Sequence, residues 1–351
     1  MKKKSLSVKK KIPNNFRISS KDKQVKRTFK KFANNIKNIN FESNICLALS
    51  GGPDSMGLLY LINSYKFPKK IKIYVYIVDH LLRKKSSDEA QFIKSKIKKL
   101  NVKVRILKWV GNKPFSNIQA KARNKRYNLI AKQCEIDNVD TIFTAHHQDD
   151  LYENFLLRLL RGSGLQGISS FNSLVTNYNE KIKIIRPLLN IKKEELIYIS
   201  KKFFSFYIED PSNNDDKFKR VRLRKLISEL KKEGLNINKL SLTLDNLTIS
   251  NNAINFYVNQ NLRDNIHKNI YKSNYILNKN FFQYPDEIIY RTFSNILKRV
   301  GEKYYAPRGK SVLRILNMLK LEKNLKITLA GCIIEKFNKS VLISREKGKK
   351  S

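Results

Sequence analysis

Six residues between two apolar runs combine the groups that bind phosphate. Ser50-Gly51-Gly52-Pro53-Asp54-Ser55 lies between "ICLAL" and "GLLYLI". Glycines let the chain turn sharply and bring backbone N–H groups close to an anion, and a helix that begins near Asp54 or Ser55 adds the positive end of its dipole. The sequence patterns of the mononucleotide P-loop and of the dinucleotide-binding turn are both absent. We therefore predict a phosphate-binding turn of another type, with a plain strand-to-helix connection as the alternative.

A second cluster is acidic, although the net charge of the chain is +43. If a helix begins near the second histidine of "HHQDDLYE", Asp150 and Glu153 lie three residues apart on one helix face, and His146 lies beside them at the end of the preceding strand. Two carboxylates at that place suit a small cation. One alternative is that acids such as Asp149 only offset the helix dipole. The other is a metal site made by the two histidines, which is disfavoured because adjacent side chains diverge.

Alternating strands and helices surround both clusters. This order predicts an α/β fold with a doubly wound parallel sheet, in which ligands bind at the carboxyl ends of the strands. The later part of the chain is mostly helical, as in 285–301, and ends in a predicted β-hairpin over 326–346, which indicates a smaller α+β domain. The predicted strands of the sheet are 45–49, 71–78, 102–109 and 139–144, and the main helices between them are 88–100 and 118–136.

The amino-terminal segment is strongly basic. Residues 1–40 carry 14 basic side chains and one acidic side chain, and the spacing of Val25, Phe29 and Phe32 predicts an amphipathic helix after a flexible start. Its basic face either contacts RNA or is only solvated. The predicted segments are a basic arm with the amphipathic helix (1–40), a nucleotide-binding domain (41–225), a carboxy-terminal domain (226–346) and a basic tail (347–351).

The overall composition favours a nucleic-acid partner. There are 72 Lys and Arg against 29 Asp and Glu, and such a charge attracts polyanions, although an AT-biased coding sequence would also enrich lysine. No apolar run is long enough to span a bilayer. Cys46, Cys134 and Cys332 are far apart in the sequence and form no CxxC pair, which indicates buried thiols in a reducing cytoplasm. The sequence is compatible with a homodimer and leaves the oligomeric state open.

The turn at residues 50–55 resembles the SGGxDS pyrophosphate loop of the ATP pyrophosphatase (PP-loop) superfamily, which has an adenine nucleotide alpha-hydrolase-like fold. Further motifs follow in an order that resembles the tRNA(Ile)-lysidine synthetase family, densely over about 40–225 and more loosely to 337. A second carboxy-terminal domain of longer members is not expected here. The motifs are "VDHLLR", "NIQAKARNKRY", "AHHQDDLYENFLLRLLRGSGLQGISSF", "RPLL", "EDPSNNDDKFKRVRLR" and "YYAPRGKSVLRIL".

The resemblance implies a two-step ligation with Mg²⁺ as cofactor. The C2 oxygen of the wobble cytidine in a CAU-anticodon isoleucine tRNA attacks the α-phosphate of ATP, and pyrophosphate leaves. The ε-amine of free L-lysine then attacks C2, and AMP leaves to give lysidine. The resemblance also implies that 41–225 is the catalytic PP-loop domain and that 226–346 is a tRNA-binding domain. A tRNA thiolase of the same superfamily and a non-catalytic RNA-binding protein remain as alternatives.

The resemblance also assigns roles to individual residues. With it, Asp54, His146 and Asp150 are the predicted catalytic residues: Asp54 holds the metal or orders the loop, and, because the lysine amine must lose a proton, His146 or Asp150 is the base. The alternative for His80 is that it lies at the end of a strand and has no function in the site. The predicted ATP-binding residues are Ser50, Gly51, Gly52, Pro53, Asp54, Ser55 and His80, and the predicted lysine-binding residues are Arg126, Asp150 and Glu153.

Three arginines in "FKRVRLRK" are expected to contact tRNA or phosphate. Arg220, Arg222 and Arg224 alternate along the chain, so an extended segment would point all three to one side. The stretch departs from the family at two positions. Val221 stands where asparagine is expected and Lys225 where histidine is frequent, which leaves open which arginine has which role.

Overall fold

The computed structural model describes residues 22–67, 71–81, 85–111, 118–179, 181–208, 217, 219–269, 274–303 and 306–346. The chain divides into two compact units, 1–245 and 246–351. This division falls within a long helix, whereas the change of organisation was predicted at 225/226. The functional roles of the four predicted segments stay predictions.

The first unit is built on a six-stranded sheet with the order β3-β2-β1-β4-β6-β5. All neighbouring strands pair in parallel except β5, which pairs antiparallel with β6. The predicted parallel sheet is therefore confirmed. Its strands are β1 (Asn44–Leu49), β2 (Ile73–Asp79), β3 (Lys103–Lys108), β4 (Val139–Phe143), β5 (Val175–Asn177) and β6 (Lys183–Ile185).

Helices cover both faces of this sheet because alternate side chains of β1 enter different cores. Leu47 packs in a cluster with residues of α1, α2, α3 and α7, whereas its neighbour Cys46 packs in a second cluster with residues of α4. The predicted doubly wound arrangement is therefore confirmed. The helices of this unit are α1 (Lys23–Ile36), α2 (Pro53–Ser64), α3 (Ser86–Ile97), α4 (Ile118–Asp137), α5 (Gln148–Leu159), α6 (Leu165–Ser169), α7 (Lys193–Phe204) and α8 (Lys219–Lys232).

The predicted amphipathic helix is α1, and its apolar side is packed into the first unit. Val25, Phe32 and Ile36 are fully buried. On its polar side, Lys31 Nζ lies 2.9 Å from Glu195 Oε2 of α7. The preceding residues of the predicted arm, 1–21, lie outside the described ranges.

The second unit combines helices with a five-stranded antiparallel sheet in the order β7-β8-β11-β10-β9. Phe281, Phe293 and Leu297 lie in its core. The smaller α+β domain is thus confirmed, but the hairpin predicted over 326–346 is a meander of three strands, because β9 also pairs with β10. Its elements are the end of α9 (Ile237–Asp264), α10 (Asp286–Val300), α11 (Gly309–Leu321), β7 (Ile266–Asn269), β8 (Asn274–Leu277), β9 (Asn324–Leu329), β10 (Cys332–Phe337) and β11 (Ser340–Arg345).

The three cysteines are buried and unbridged, as predicted. Cys46 and Cys134 are nevertheless neighbours in space, because β1 and α4 bring their Sγ atoms to 3.8 Å. Within the described ranges, every helix lacks either the length or the apolar composition needed to cross a bilayer.

Candidate functional site

The turn between β1 and α2 has the geometry that its glycines predict. Gly51 has a φ of +82°, in the left-handed region that favours glycine. A Cβ at this position would lie 2.3 Å from Cδ1 of Ile93, so the end of that side chain would have to move to make room for it. Gly52 is the N-cap of α2, and Pro53 occupies the first turn, where its missing N–H costs no hydrogen bond. The amino end of α2 therefore follows the turn directly.

Two hydroxyl groups close this turn. Ser55 Oγ donates to the carbonyl oxygen of Gly52 at 3.0 Å and lies 3.2 Å from Ser50 Oγ. It also accepts from the backbone N–H of Ser50 at 3.3 Å. Ser55 is buried and Ser50 is exposed, so the inner hydroxyl braces the loop while the outer one faces the solvent side.

A cavity of about 350 Å³ opens at the carboxyl ends of β1, β2 and β4. This is the edge of a doubly wound sheet at which ligands bind. Gly51, Gly52 and Pro53 form the turn beside it. The predicted site residues that line the cavity are Ser50, Asp54, Ser55, His80, Arg126 and His146.

Arg126 and His80 meet in this cavity. Arg126 Nε donates to His80 Nε2 at 3.3 Å, and the imidazole contacts the Trp109 ring edge-on at a centroid distance of 5.8 Å. Burial lowers the pKa of Arg126. Arg126 was predicted to bind lysine together with Asp150 and Glu153, but its contact is with the residue predicted to shape the ATP site.

Asp79, which is not among the predicted site residues, also lines the cavity. Its carboxylate accepts from the hydroxyls of Ser86 at 2.7 Å and Ser87 at 2.6 Å and from the backbone N–H of Leu81 at 2.9 Å. Burial alone would raise the pKa of Asp79, but these hydrogen bonds outweigh it, and the pKa is lowered. The ionised side chain therefore ties the end of β2 to the start of α3. Its position next to His80 in the "VDH" stretch is the sequence feature that could have indicated it.

His146 lines the cavity from the end of β4. Its Nδ1 lies 2.9 Å from Thr144 Oγ1, and its ring contacts Phe171 edge-on at 5.1 Å. Burial lowers the pKa of His146 to about 3, against the opposing charge of Asp150 and with help from nearby arginines. The imidazole is therefore neutral at pH 7.

His147, which the sequence analysis did not select, lies between the two predicted clusters. Its Nε2 is 3.4 Å from Asp54 Oδ2 in the turn and 3.5 Å from Asp150 Oδ2 on α5. Burial would lower the pKa of His147, but the hydrogen bond to Asp54 and the charges of Asp150, Asp54 and Asp149 raise it more. The phosphate-binding turn and the acidic helix are thus parts of one site.

The acidic residues of α5 pair with arginines of α8. Asp150 Oδ1 lies 3.7 Å from Arg220 Nη1, and Glu153 Oε1 accepts from Arg224 Nε at 2.5 Å. The extended segment predicted for these arginines is wrong, because α8 is helical and only positions four apart share a face. Arg222 is exposed and donates to the carbonyl oxygen of Lys217 at 3.0 Å.

Glu153 is the most buried of the predicted acids, with a side-chain exposure of 2%. Burial raises its pKa, and Arg224 offsets this only in part. Its second oxygen, Oε2, is buried and has no hydrogen-bond partner among the described residues. The side chain can therefore accept one further donor.

Comparisons with known proteins agree with this geometry. Residues 21–230 match the family described as a PP-loop domain. The chain is 35% identical to the tRNA(Ile)-lysidine synthase of Wolbachia pipientis wMel over 309 residues, covering 87% of this chain and 71% of the relative. It is 35% identical to that of Rickettsia felis over 328 residues, covering 92% and 75%. The structure of the U34-tRNA thiolase NcsA from Methanococcus maripaludis is similar in fold, with a TM-score of 0.53, 16% identity and coverage of 65% and 77%.

The sheet, the turn at its edge and the matched domain define a PP-loop ATP-binding protein. The sequence identity and the coverage of the matched relatives assign the chain to one family within this class. The chain belongs to the tRNA(Ile)-lysidine synthase family, and it is a tRNA-modifying ligase that uses ATP.

Proposed function

We propose that this ligase joins free L-lysine to C2 of the wobble cytidine in a CAU-anticodon isoleucine tRNA, through an adenylated cytidine. The supporting observation is that Asp54 of the phosphate-binding turn and Asp150 of the acidic helix both lie within 3.5 Å of one atom, Nε2 of His147. A site that binds pyrophosphate beside a cation-binding carboxylate suits a reaction in which ATP activates one substrate and an amine attacks it.

In the first step, the C2 oxygen attacks the α-phosphate of ATP and pyrophosphate leaves. The backbone N–H groups of Gly51, Gly52, Asp54 and Ser55 and the exposed hydroxyl of Ser50 stabilise the charge that develops on the leaving group, while Ser55 Oγ braces the loop from inside. Because Gly51 and Gly52 carry no Cβ, phosphate oxygens can approach this backbone closely. His80 and Arg126 contact the nucleotide from the other side of the cavity.

Asp54 is the residue that fits Mg²⁺. Its Oδ1 is buried and has no hydrogen-bond partner among the described residues, and Mg²⁺ characteristically takes one or two carboxylates together with phosphate oxygens. A bound ion would neutralise charge on the departing pyrophosphate. Asp54 holds that position beside the turn because it lies in the first turn of α2.

In the second step, the lysine ε-amine attacks C2 and AMP leaves. With a reference pKa of about 10.4, only about one amine in 2500 is unprotonated at pH 7, which costs roughly 4.6 kcal/mol. Asp150 and Glu153 hold the ammonium group, and Glu153 Oε2, which has no partner among the described residues, accepts a hydrogen bond from it. The base stays open between the neutral imidazole of His146, which has a lone pair, and the carboxylate of Asp150.

The arginines of α8 have two roles in this proposal. Arg220 and Arg224 orient the two carboxylates of α5, and Arg222, on a more exposed position, contacts tRNA phosphates. The second unit is proposed to bind tRNA, and a homodimer remains part of the proposal.

The test is mass analysis of nucleosides from a CAU-anticodon isoleucine tRNA incubated with the protein, ATP, Mg²⁺ and isotopically labelled lysine. Labelled lysidine is expected with the wild type and not with Asp54→Ala. Pyrophosphate release without lysine would support the adenylated intermediate. Tight tRNA binding without pyrophosphate release would contradict the proposal and favour a non-catalytic RNA-binding protein.

A matched experiment separates lysidine formation from thiolation. Cys46, Cys134 and Cys332 are buried, and a variant with serine at all three positions is expected to keep lysidine formation while it remains folded. If tRNA modification is lost in a folded triple variant, the thiolase alternative gains.

A further inference from the structure

We infer that His147 is a positioning residue that holds the phosphate-binding turn and the lysine-binding helix in register, through Asp54 and Asp150. This inference rests on the proposed function for the roles of the two carboxylates. Asp54 belongs to α2 and Asp150 to α5, so the imidazole connects the two helices that serve the two steps of the reaction.

The hydrogen bonds of the ring fix its orientation. In the neutral ring, His147 Nδ1 accepts the backbone N–H of Asp149 at 3.2 Å, and the ring hydrogen is then on Nε2. Nε2 is the atom that lies 3.4 Å from Asp54 and 3.5 Å from Asp150. The ring therefore directs its N–H at two carboxylates from different helices.

The backbone of His147 is also fixed from several directions. His147 is the N-cap of α5, and its N–H donates to Asp150 Oδ2 at 3.2 Å in a capping box. It forms a parallel β-bridge with Leu188, and the next residue, Gln148, donates to Ile191 at 3.1 Å. With a side-chain exposure of 5%, the ring has little freedom to leave this place.

The two carboxylates need such a group because like charges at close range repel each other. A buried N–H between them compensates that repulsion and attracts both side chains to the same atom. Without it, Asp54 is expected to turn away from the phosphate-binding loop and Asp150 away from lysine. A simple helix cap would not affect Asp54 at all.

Two substitutions separate the bridge from the cap. His147→Asn keeps an acceptor that caps helices well, but its shorter side chain does not reach Asp54. His147→Gln reaches further and can place an N–H between the carboxylates, although it caps less well. Asp150→Asn is the matched control, because it removes a carboxylate of the lysine-binding helix and leaves Asp54 in place.

The experiment measures two half-reactions of the full chain with tRNA, which are pyrophosphate release without lysine and lysidine formation with it. His147→Asn is expected to unfold at nearly the wild-type urea concentration and to lose at least tenfold in kcat in both half-reactions. His147→Gln is expected to recover part of both. Asp150→Asn is expected to lose lysidine formation while it keeps most of the pyrophosphate release.

The results that overturn the inference are specific. If folded His147→Asn keeps both rates within twofold, the ring is only a helix cap. If the rate of only one half-reaction falls, the ring positions one carboxylate and does not connect the two helices. If the wild type makes no lysidine, the proposed function is refuted instead. The contact of His147 with both carboxylates is then tested by NMR. The Nε2–H signal of ¹⁵N-histidine-labelled protein should shift in both Asp54→Asn and Asp150→Asn, and a signal unmoved by either variant excludes the bridge.

Discussion

Arg224 Nε lies 2.5 Å from Oε1 of Glu153, whose side chain is 2% exposed. The pair connects α8 to α5, and it is the charged contact that compensates a carboxylate placed in a poorly solvated position. A buried carboxylate is costly unless it is paired, and Glu153 Oε2 already has no partner among the described residues. Arg224 is therefore needed for the folded arrangement of the lysine-binding helix as well as for its charge.

Replacing Arg224 is expected to destabilise the protein. Arg224→Met leaves Glu153 buried without its donor, which should lower the free energy of unfolding by about 1–3 kcal/mol. Urea denaturation at neutral pH measures this loss. Adding Glu153→Gln should return part of it, since the neutral amide needs no counter-charge. Arg222→Met, on an exposed position of the same helix, should change the free energy by less than about 0.5 kcal/mol, and an equal loss in both variants would contradict the argument.

Gly51 is expected to be intolerant of a methyl group for two separable reasons. Its φ of +82° costs alanine about 1–2 kcal/mol, and the added Cβ would lie 2.3 Å from Ile93 Cδ1. Gly234 has a φ of +90° with open space around it, so Gly234→Ala measures the conformational cost alone.

Gly51→Ala should therefore be the more destabilising substitution in urea, and it should also reduce pyrophosphate release. Ile93→Val removes Cδ1 and should partly rescue Gly51→Ala, although alone it costs about 0.5–1.5 kcal/mol. Equal losses at both glycines, or no rescue, would show that the contact with Ile93 is easily relaxed.

The sequence predicted those parts of the site that depend on local chain geometry. The turn at Gly51 and Gly52 follows from glycine conformation, and the shared helix face of Asp150 and Glu153 follows from a helix that begins near His147; both act within a few residues. The bridge from His147 to Asp54 was not predictable, because it depends on the pairing of β1 with β4 in the sheet. Nothing in the spacing of the two residues indicates the contact.

The segment around Arg222 shows a different limit. Basic and apolar residues alternate from Arg220 to Arg224, which has the period of a strand, yet the structure is helical. The longer context decides, because Leu, Lys and Glu up to Lys232 favour a helix and because Val221, Leu223 and Ile227 are all buried. Five residues are too few to distinguish the two periods.

Acidification should destabilise the protein through His146. Its pKa is lowered to about 3 in the folded state and is about 6.5 when unfolded, so between these values the unfolded chain binds a proton that the folded chain does not. The contribution of the neutral His146 to stability is therefore fully present above about pH 6.5 and is lost as the pH falls toward 3. The facing charged groups are Asp150, which opposes the shift, and Arg123, Arg186 and Arg220, which reinforce it.

The measurement is urea denaturation of the wild type and His146→Gln at pH 7.5 and pH 4.5. The wild type should lose more stability than the variant over this interval, and the difference reports His146 because other titrating groups are common to both proteins. Parallel losses would mean that His146 is more accessible to protons than its contacts with Thr144 and Phe171 indicate.

The basic residues before α1 are expected to strengthen RNA binding through phosphate contacts. If about eight phosphates are neutralised, the logarithm of tRNA affinity should fall with the logarithm of salt concentration with a slope of about −6 to −7. Deleting residues 1–20 removes seven basic side chains but keeps Asp22, which caps α1 and pairs with Lys202. The truncated protein should therefore keep its urea midpoint while its salt slope becomes less steep. A folded truncation with an unchanged slope would show that these charges are only solvated, and the net charge of +43 would then act through other surfaces.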